Sequence, residues 1–283
     1  MLLFKKAKDI ENQLGRARKS RQKIGFVPTM GALHAGHISL IQAAKLQSDV
    51  VVCSIFVNPT QFNDKTDFDK YTVTIDKDIE LLTDAGCDVL FLPNVKEMYP
   101  NGFTNPAKID FGYLAQTLEG EYRPGHFDGM AQIVEKLLRV VMPDKLYMGQ
   151  KDYQQQLIVR QLIKKKGFKT KLITCPTTRE KDGLAMSSRN TRLDAESRKL
   201  AVEISKTLKG AKVALHKPKS DIEQVEAWGL KRLAGFNGIE PECFAIRNAG
   251  TLKPAKNKSE KLVALTAVKI GGVRLIDNML LNG

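Results

Sequence analysis

The feature that most constrains the fold is an alternation of short apolar runs with longer amphipathic stretches between residues 24 and 175. Five runs, apolar nearly throughout, are predicted to be strands covered on both faces: KIGFVP, DVVVCSIFVNP, CDVLFLP, DKLYMG and FKTKLITCP. Four stretches with apolar residues three or four positions apart are predicted to be helices: 39–47, 69–85, 127–141 and 153–166. This order indicates an α/β fold with a Rossmann-like, doubly wound parallel sheet, in which ligands bind beyond the carboxyl ends of the strands.

Beyond residue 176 the pattern changes to two helices followed by strands. Helical spacing covers 194–216 and 221–234, and the segments PECFAIRN and KLVALTAVKIGGVRLIDNML are predicted to be strands with a turn at Gly271 and Gly272. Helices followed by strands are typical of a small α+β domain. The chain is therefore predicted to have two domains, 1–176 and 177–283.

The charge balance is basic, with 45 Lys and Arg residues against 31 Asp and Glu residues and a formal net charge of +14. Such a charge favours the approach of polyanions from ATP to RNA and does not choose between them. The lysine runs FKKAKD, IKKKGFKTK and KNKSEK lack interleaved aromatic residues that could stack on bases. They are interpreted as a solvated basic surface, and no nucleic-acid partner is expected.

The chain is expected to be cytoplasmic, without membrane contact. Its apolar runs are much shorter than the ~20 residues of a membrane-spanning helix, and MLLFKKAKDI lacks the regions of a secretory leader. The four cysteines form no CxxC pair and no disulfide framework. Cys53, Cys87 and Cys175 fall in or beside predicted strands, where a thiol is expected to act as a small buried hydrophobe.

The stretch PTMGALHAGHISL places two of the four histidines where a strand gives way to a helix. Gly31 and Gly36 allow close approach of the backbone, and His34 and His37 are expected around the first helical turn, whose free N–H groups favour phosphate. A structural histidine pair is one alternative. A metal site is another, although no third ligand lies nearby in the sequence.

The HxGH pattern is similar to the signature of the class I aminoacyl-tRNA synthetase and nucleotidylyltransferase superfamily. That superfamily pairs HxGH with a second loop, of KMSKS type, after the last parallel strand. The segment GLAMSSRN, residues 183–190, lies at the corresponding place in this chain. Taken alone, its Ser-Ser-Arg triplet would be equally consistent with a helix cap.

Three further motifs carry polar side chains beside predicted strand ends or in loops. FVNPTQF offers the amides of Asn58 and Gln61 to hydroxyls or a carboxylate of a small polar substrate. MGQKDYQQQ places Lys151, Asp152 and Gln155 where a strand passes into a helix, and LEGEYRPGHFDGM supplies Glu119, Arg123, His126 and Asp128. The 119–128 loop could serve either the site or a subunit interface.

With these motifs in this order, the sequence resembles the pantothenate synthetase (pantoate-beta-alanine ligase) family from Phe4 to about Leu280. The resemblance implies a homodimer in which a smaller C-terminal domain closes over a Rossmann-like ATP- and pantoate-binding domain. It also implies two steps. Pantoate attacks the α-phosphorus of ATP to give pantoyl adenylate and pyrophosphate with Mg²⁺, and β-alanine then displaces AMP. The Mg²⁺ ligands are not assigned.

The resemblance also implies which residues form the site. Gln61 and Gln155 match the pantoate-binding glutamines, Gln61 is also associated with β-alanine, and His37 matches a proton donor. ATP binding corresponds to Met30, Gly31, Ala32, Leu33, His34, Ala35, Gly36 and His37, to Gly149, Gln150, Lys151 and Asp152, to Thr178, and to Met186, Ser187, Ser188 and Arg189. The expected catalytic residues among these are His37, His34, Lys151, Ser187, Ser188 and Arg189, with Asn58 expected beside Gln61 in substrate binding.

The chain departs from the family pattern at three places. Tyr71-Thr72-Val73 replaces Tyr-Pro-Arg, so the chain lacks the arginine of that pattern. Thr178 stands where Val is common, and Gln150 stands where Glu is frequent. Two other interpretations stay open from the sequence: another HxGH nucleotidylyltransferase, and a basic RNA-binding module with steeply salt-dependent affinity.

Overall fold

The computed structural model describes residues 1–62, 68–69, 71–103 and 109–282. It divides into two compact units, one formed by Met1–Gly149 with Gln155–Pro176 and the other by Gln150–Gln154 with Thr177–Gly283. The short segment 150–154 thus groups with the second unit, whereas the sequence places it in the first domain. As a division into functional domains, 1–176 and 177–283 stay a prediction.

The first unit contains a six-stranded, wholly parallel sheet in the order β1-β4-β3-β2-β5-β6. The five predicted strands are confirmed, and the sequence interpretation missed β1, whose three residues lie at the sheet edge with Leu2 and Leu3 exposed. The strands are β1 (Leu2–Phe4), β2 (Ile24–Thr29), β3 (Val50–Ile55), β4 (Val89–Phe91), β5 (Lys145–Gly149) and β6 (Lys171–Cys175). The Rossmann-like sheet is therefore as expected.

Helices alternate with these strands along the chain. They are α1 (Ala7–Lys19), α2 (Ala35–Lys45), α3 (Ile75–Asp84), α4 (Val95–Met98), α5 (Tyr113–Gln116), α6 (Glu119–Tyr122), α7 (His126–Val141) and α8 (Tyr153–Lys165), with a 3-10 helix at Pro59–Gln61. The sequence interpretation missed α1, because its buried face consists of only three residues in a strongly charged segment. It began α2 four residues late because the cap at His34 was not used as a start signal.

The helix predicted over 69–85 is shorter in the structure. Residue 70 lies outside the described residues, and α3 begins at Ile75, after Thr74 in the N-cap position. Helix α3 brings Asp78 and Leu82 into the interior of the unit, and both are fully buried. The core around them includes Val27 and Leu90 from the sheet. The start of α3 matters because this helix faces the turn that follows β2 and is hydrogen-bonded to it through Asp78.

The second unit is an α+β arrangement, as predicted. It contains α9 (Ala195–Leu215), α10 (Ile222–Ala234) and an antiparallel sheet of β7 (Ile239–Asn248), β8 (Leu262–Ile270) and β9 (Val273–Leu280) in that order. Gly271 and Gly272 form the predicted turn between β8 and β9, with φ angles of +56° and +73° that favour glycine. One apolar cluster joins both helices to the sheet, and Leu208, Leu233 and Ala264 are completely buried in it.

None of the helices in the described part of the chain is long and apolar enough to cross a membrane.

Candidate active site

The order of the parallel strands reverses at β2, which pairs with β3 on one side and β5 on the other. In doubly wound sheets, ligands bind at such a reversal, beyond the carboxyl ends of the strands. The segment with the HxGH pattern leaves the carboxyl end of β2, and Gly149 ends β5. The fold therefore puts the histidine segment at the place where nucleotides bind in sheets of this kind.

His34 and His37 form a reciprocal cap on the N-terminus of α2. The Gly36 N–H donates to His34 Nδ1 at 3.1 Å, and the His34 N–H donates to His37 Nδ1 at 3.3 Å. The two rings lie 4.1 Å apart between centroids. A nitrogen that accepts a hydrogen bond carries no proton, so each neutral ring holds its proton on Nε2. The histidines are thus a structural pair, and the cap also makes each Nε2 a donor of fixed orientation.

The metal alternative for this pair requires further ligands beside the two histidines. Within the described ranges, no group of three or more His, Cys, Asp or Glu side chains could hold a metal ion. The first helical turn of α2 also contains no acidic residue. The partial positive charge of this helix N-terminus is not offset by an acidic residue in the first turn. Together with two imidazole donors, it is suited to an anion rather than to a cation.

Asp78 fixes the turn between β2 and His34, and the sequence interpretation missed it. Its carboxylate accepts hydrogen bonds from the backbone N–H groups of Ala32, at 3.0 Å, and Leu33, at 2.8 Å. Gly31 and Ala32 both have positive φ angles, +83° and +49°, and the latter is unfavourable for alanine. A signal existed in the sequence, because Asp78 lies on the apolar face of α3 in register with Leu82.

Asn58 and Gln61 come together beside Met30. Asn58 Nδ2 donates to Gln61 Oε1 at 3.4 Å and to the Gly129 carbonyl at 3.2 Å. Gln61 Nε2 lies 2.8 Å from Met30 Sδ, as donor. The buried Tyr99 hydroxyl donates to Asn58 Oδ1 at 2.8 Å, and burial raises the pKa of that phenol. Because the hydroxyl donates to Oδ1, the Nδ2 end of the Asn58 amide faces Gln61.

Gln155 lies in the first turn of α8 between two buried glutamines. Gln154 and Gln156 are only 2% and 4% exposed, and Gln156 Oε1 accepts a hydrogen bond from the Thr174 hydroxyl at 2.8 Å. Gln155 is half-buried by contrast. Of the three consecutive glutamines, the one expected to bind substrate is therefore the one whose side chain is partly accessible.

In the second unit, Asn278 holds the backbone on both sides of the Lys151 α-carbon. Its Nδ2 donates to the carbonyls of Gln150, at 3.0 Å, and Lys151, at 2.7 Å, while Gln150 Nε2 donates to Asn278 Oδ1 at 3.2 Å. The Lys151 ammonium lies 3.7 Å from the Asp152 carboxylate. The sequence interpretation missed Asn278, which lies 127 positions along the chain from Lys151 and has no local motif.

The segment 177–190 is tied to the same strand β9 by an ion pair. The Arg179 guanidinium donates to both carboxylate oxygens of Asp277, at 2.6 and 3.0 Å, and to the Asn278 carbonyl at 3.2 Å. Burial raises the pKa of the Asp277 carboxyl, and the paired guanidinium opposes that shift. An antiparallel bridge between Arg179 and Ala185 makes the segment a hairpin. Neither Arg179 nor Asp277 was predicted from the sequence.

The serine loop follows that hairpin. The Ser187 hydroxyl accepts a hydrogen bond from the Arg189 N–H at 3.2 Å and caps a 3-10 helix, Ser188–Arg192. The cap interpretation of the triplet is therefore correct as local structure. The Met186 N–H donates to the Thr178 carbonyl at 3.0 Å. This contact uses the backbone of Thr178 and does not depend on its side chain.

The predicted site residues thus fall into two groups, one in each unit. The first unit brings together Met30–His37, Asn58 and Gln61, and it also contains Gly149 and Gln155. The second contains Gln150, Lys151, Asp152, Thr178 and Met186–Arg189. That both groups bind a single nucleotide stays a prediction.

The cysteines predicted to be buried are buried. Cys53, Cys87 and Cys175 are at most 7% exposed. Burial raises the pKa of all three thiols, that of Cys87 to about 11. A thiol with a raised pKa is a poor nucleophile at neutral pH, so these residues have the structural role expected of them.

Comparison with known proteins gives matches over the full chain. A family model described as pantoate-beta-alanine ligase matches residues 2–280. The pantothenate synthetases of Cytophaga hutchinsonii and Aquifex aeolicus are 43% and 42% identical, over 99% and 98% of both chains. The crystal structure of pantothenate synthetase from Thermus thermophilus has a TM-score of 0.93, 36% identity and full coverage of both chains.

A further structural relative carries ligands. Pantoate-beta-alanine ligase from Francisella tularensis, complexed with β-γ ATP and β-alanine, is 39% identical to the chain with a TM-score of 0.82. The alignment covers 100% of this chain and 99% of that one.

Proposed function

The chain belongs to the pantoate-beta-alanine ligase family, and we propose that it joins (R)-pantoate to β-alanine through an enzyme-bound pantoyl adenylate. The single observation that carries the proposal is the double histidine cap at the strand-order reversal. The ATP and β-alanine of the Francisella complex are the substrates that this reaction requires. The family match favours the ligase over another HxGH nucleotidylyltransferase and over an RNA-binding module.

In the first step, a carboxylate oxygen of pantoate attacks the α-phosphorus of ATP, and pyrophosphate leaves. Negative charge grows on the α-phosphate and on the leaving group, so the protein acts by positioning and by fixed positive charge. The N-terminus of α2 and the Nε2–H groups of His34 and His37 supply donors to the phosphates. Because the cap fixes both rings before substrate arrives, little reorganisation is needed during the reaction.

The second unit supplies the other charged groups. Lys151 and Arg189 neutralise the β- and γ-phosphates, and the hydroxyls of Ser187 and Ser188 bind them. Mg²⁺ enters as part of the MgATP substrate, because this ion is commonly held by phosphate oxygens and water with few protein ligands.

Pantoate binds through the amides of Gln61 and Gln155, with Asn58 setting the orientation of Gln61. In the second step, the neutral amine of β-alanine attacks the acyl carbon of the adenylate, loses a proton and expels AMP. Gln61 contacts β-alanine as well as pantoate. A closed pocket that disfavours the ammonium form would favour this attack.

The resemblance further supports a homodimer, a cytoplasmic location, and a second domain that closes over the bound substrates. Light scattering on a size-exclusion column tests the homodimer. A mass near 31.5 kDa, that of one chain, would contradict the dimer.

The decisive experiment follows the two products separately. With ATP, Mg²⁺ and D-pantoate alone, pyrophosphate release is expected up to one equivalent per active site. AMP and pantothenate are expected only after β-alanine is added. Pyrophosphate release that requires β-alanine would exclude a separate adenylation step, and failure to form pantothenate would exclude the ligase activity itself.

A further inference from the structure

The segment 119–130 contacts the backbone of Gln61, and its function is not explained by the proposed reaction. The sequence interpretation of 119–128 as a loop was wrong, because the segment contains α6 and the first turn of α7. His126, only 6% exposed, has Nδ1 2.7 Å from the Gln61 carbonyl oxygen and Nε2 3.1 Å from Arg123 Nη1. Arg123 Nη2 also donates to the Gln61 carbonyl at 3.5 Å. The Gln61 carbonyl oxygen therefore lies against two side chains of this segment, those of Arg123 and His126.

The partners of His126 determine which of its nitrogens carries the proton. An arginine side chain only donates, so Nε2 of His126, which faces Arg123, is the acceptor. A carbonyl only accepts, so Nδ1 carries the proton and donates to Gln61. His126 is thus the neutral Nδ1–H tautomer, the opposite of the tautomer that capping gives His34 and His37.

The surrounding chain is built to hold this contact closely. Gly125, with a φ angle of +79°, turns the chain so that His126 becomes the first residue of α7. One turn later a Cβ at Gly129 would overlap the carbonyl oxygen of Thr60, so only glycine lets α7 approach the 3-10 helix that ends at Gln61. The Glu119 carboxylate lies 3.8 Å from Arg123 Nη1, the nitrogen that also contacts His126.

We propose that His126, oriented by Arg123, is a positioning residue for Gln61 in the binding of pantoate. The inference rests on the proposed role of Gln61 as a substrate ligand. His126 fixes the main chain of Gln61 through its carbonyl, while Asn58 fixes the side-chain amide through Oε1. One N–H of Gln61 Nε2 donates to Met30 Sδ, so with both ends of the residue held the second N–H points in one direction. The conformational entropy of the side chain is thus lost before pantoate arrives.

The kinetic test compares three replacements of His126. His126→Ala removes the donor and is expected to raise the KM for pantoate about tenfold, the usual effect of one lost hydrogen bond, with the KM for ATP within about twofold. His126→Asn places an N–H near the position of Nδ1 and is expected to restore most of the affinity. His126→Gln places its amide near Nε2 and is expected to behave like alanine.

A structural role alone would give a different pattern. Equal increases in KM for both substrates, or no difference between the Asn and Gln variants, would overturn the proposal. His216→Ala is the matched control, because that histidine is exposed and bonds to the Lys212 carbonyl of its own helix. Kinetics unchanged from the wild type are expected of it.

A measurement on the wild-type protein tests the contact even if the alanine variant fails to fold. Long-range ¹H–¹⁵N NMR spectra distinguish the two histidine tautomers, and loss of a signal in His126→Asn assigns it. The Nδ1–H form is expected at pH 8. An Nε2–H form or an imidazolium at that pH would overturn the proposal.

Gln61→Ala separates failure of this inference from failure of the assigned substrate role. It is expected to raise the KM for pantoate and to leave ATP binding nearly intact, and adding His126→Ala should then cause little further increase. If Gln61→Ala leaves pantoate binding unchanged, the substrate role of Gln61 is wrong and the positioning role falls with it. If only the His126 variants are without effect, the positioning role alone is wrong.

Discussion

The carboxylate of Asp78 accepts a hydrogen bond of 2.8 Å from the backbone N–H of Leu33, and this contact joins α3 to the turn before the histidine pair. The same carboxylate accepts from the Ala32 N–H and the Thr74 hydroxyl, and it is completely buried. Hydrogen bonds to a charged acceptor are stronger than neutral ones. Asp78 thus offsets the unfavourable backbone conformation of Ala32.

Asp78→Asn is expected to lower the free energy of unfolding by about 2 kcal/mol, because the amide nitrogen cannot accept from a backbone N–H. Turnover should fall as well, since the turn held by Asp78 leads directly into His34. Urea denaturation and steady-state kinetics measure the two effects. Asp84→Asn, at an exposed position of the same helix, is the control. Similar stability of the two variants would contradict the role given to Asp78.

His37→Ala is expected to fold and to lose roughly 10²- to 10³-fold in turnover, the effect of removing one preorganised donor. Its Nδ1 also accepts the His34 N–H, so the free energy of unfolding should fall by about 1 kcal/mol. Single-turnover formation of the adenylate measures the first effect and urea denaturation the second. Adenylate formation at nearly the wild-type rate would refute the catalytic role.

Asn278→Ala is expected to lower turnover about 10- to 100-fold, because it frees the backbone on both sides of Lys151 and small displacements of reacting groups are costly. It also leaves two carbonyls without their donor, at a cost of about 1–3 kcal/mol each if no water replaces it. Steady-state kinetics at varied ATP concentration test the loss of turnover, and urea denaturation tests the loss of stability. Asn237→Ala, in an exposed turn, is the control. A stability loss with unchanged kinetics would limit Asn278 to a structural role.

Asp194 gives a prediction on pH. It caps α9, and the N–H of Ser197, which donates to it at 2.7 Å, lowers the pKa of the carboxyl below its ordinary value. Because the native pKa is the lower one, this contribution to stability is complete above about pH 5 and is lost as the pH falls through the native pKa. Asparagine also caps helices but does not titrate in this range.

Asp194→Asn should therefore have a stability close to that of the wild type at pH 7 and a smaller loss between pH 5 and pH 3. Urea denaturation of both proteins at a series of pH values gives the difference directly. A difference that does not change with pH would show that the ionised cap does not contribute.

Much of the fold followed from local pattern. The five buried strands, the two helices of the second unit and its hairpin turn were predicted, because apolar periodicity reflects which face of an element is buried. The sequence interpretation missed β1 and α1, where few apolar residues contribute to the pattern, and the four-residue helices α4, α5 and α6, which are too short to show a period. The predicted start of α3, at residue 69, was also wrong, since the amphipathic pattern extends to residues that precede Ile75, where the helix begins.

The candidate site divides in the same way. By itself, the sequence determined the motifs that contain His34, His37, Gln61, Lys151 and Ser187–Arg189, and through them the family resemblance; that these residues form one site stays a prediction. Only the tertiary structure decided which residues hold them: Asp78, Tyr99, Asn278 and the Arg179–Asp277 pair. It also decided the histidine tautomers. These supporting contacts join residues far apart in the chain, and a hydrogen bond depends on distance and direction in space, which local sequence patterns do not specify.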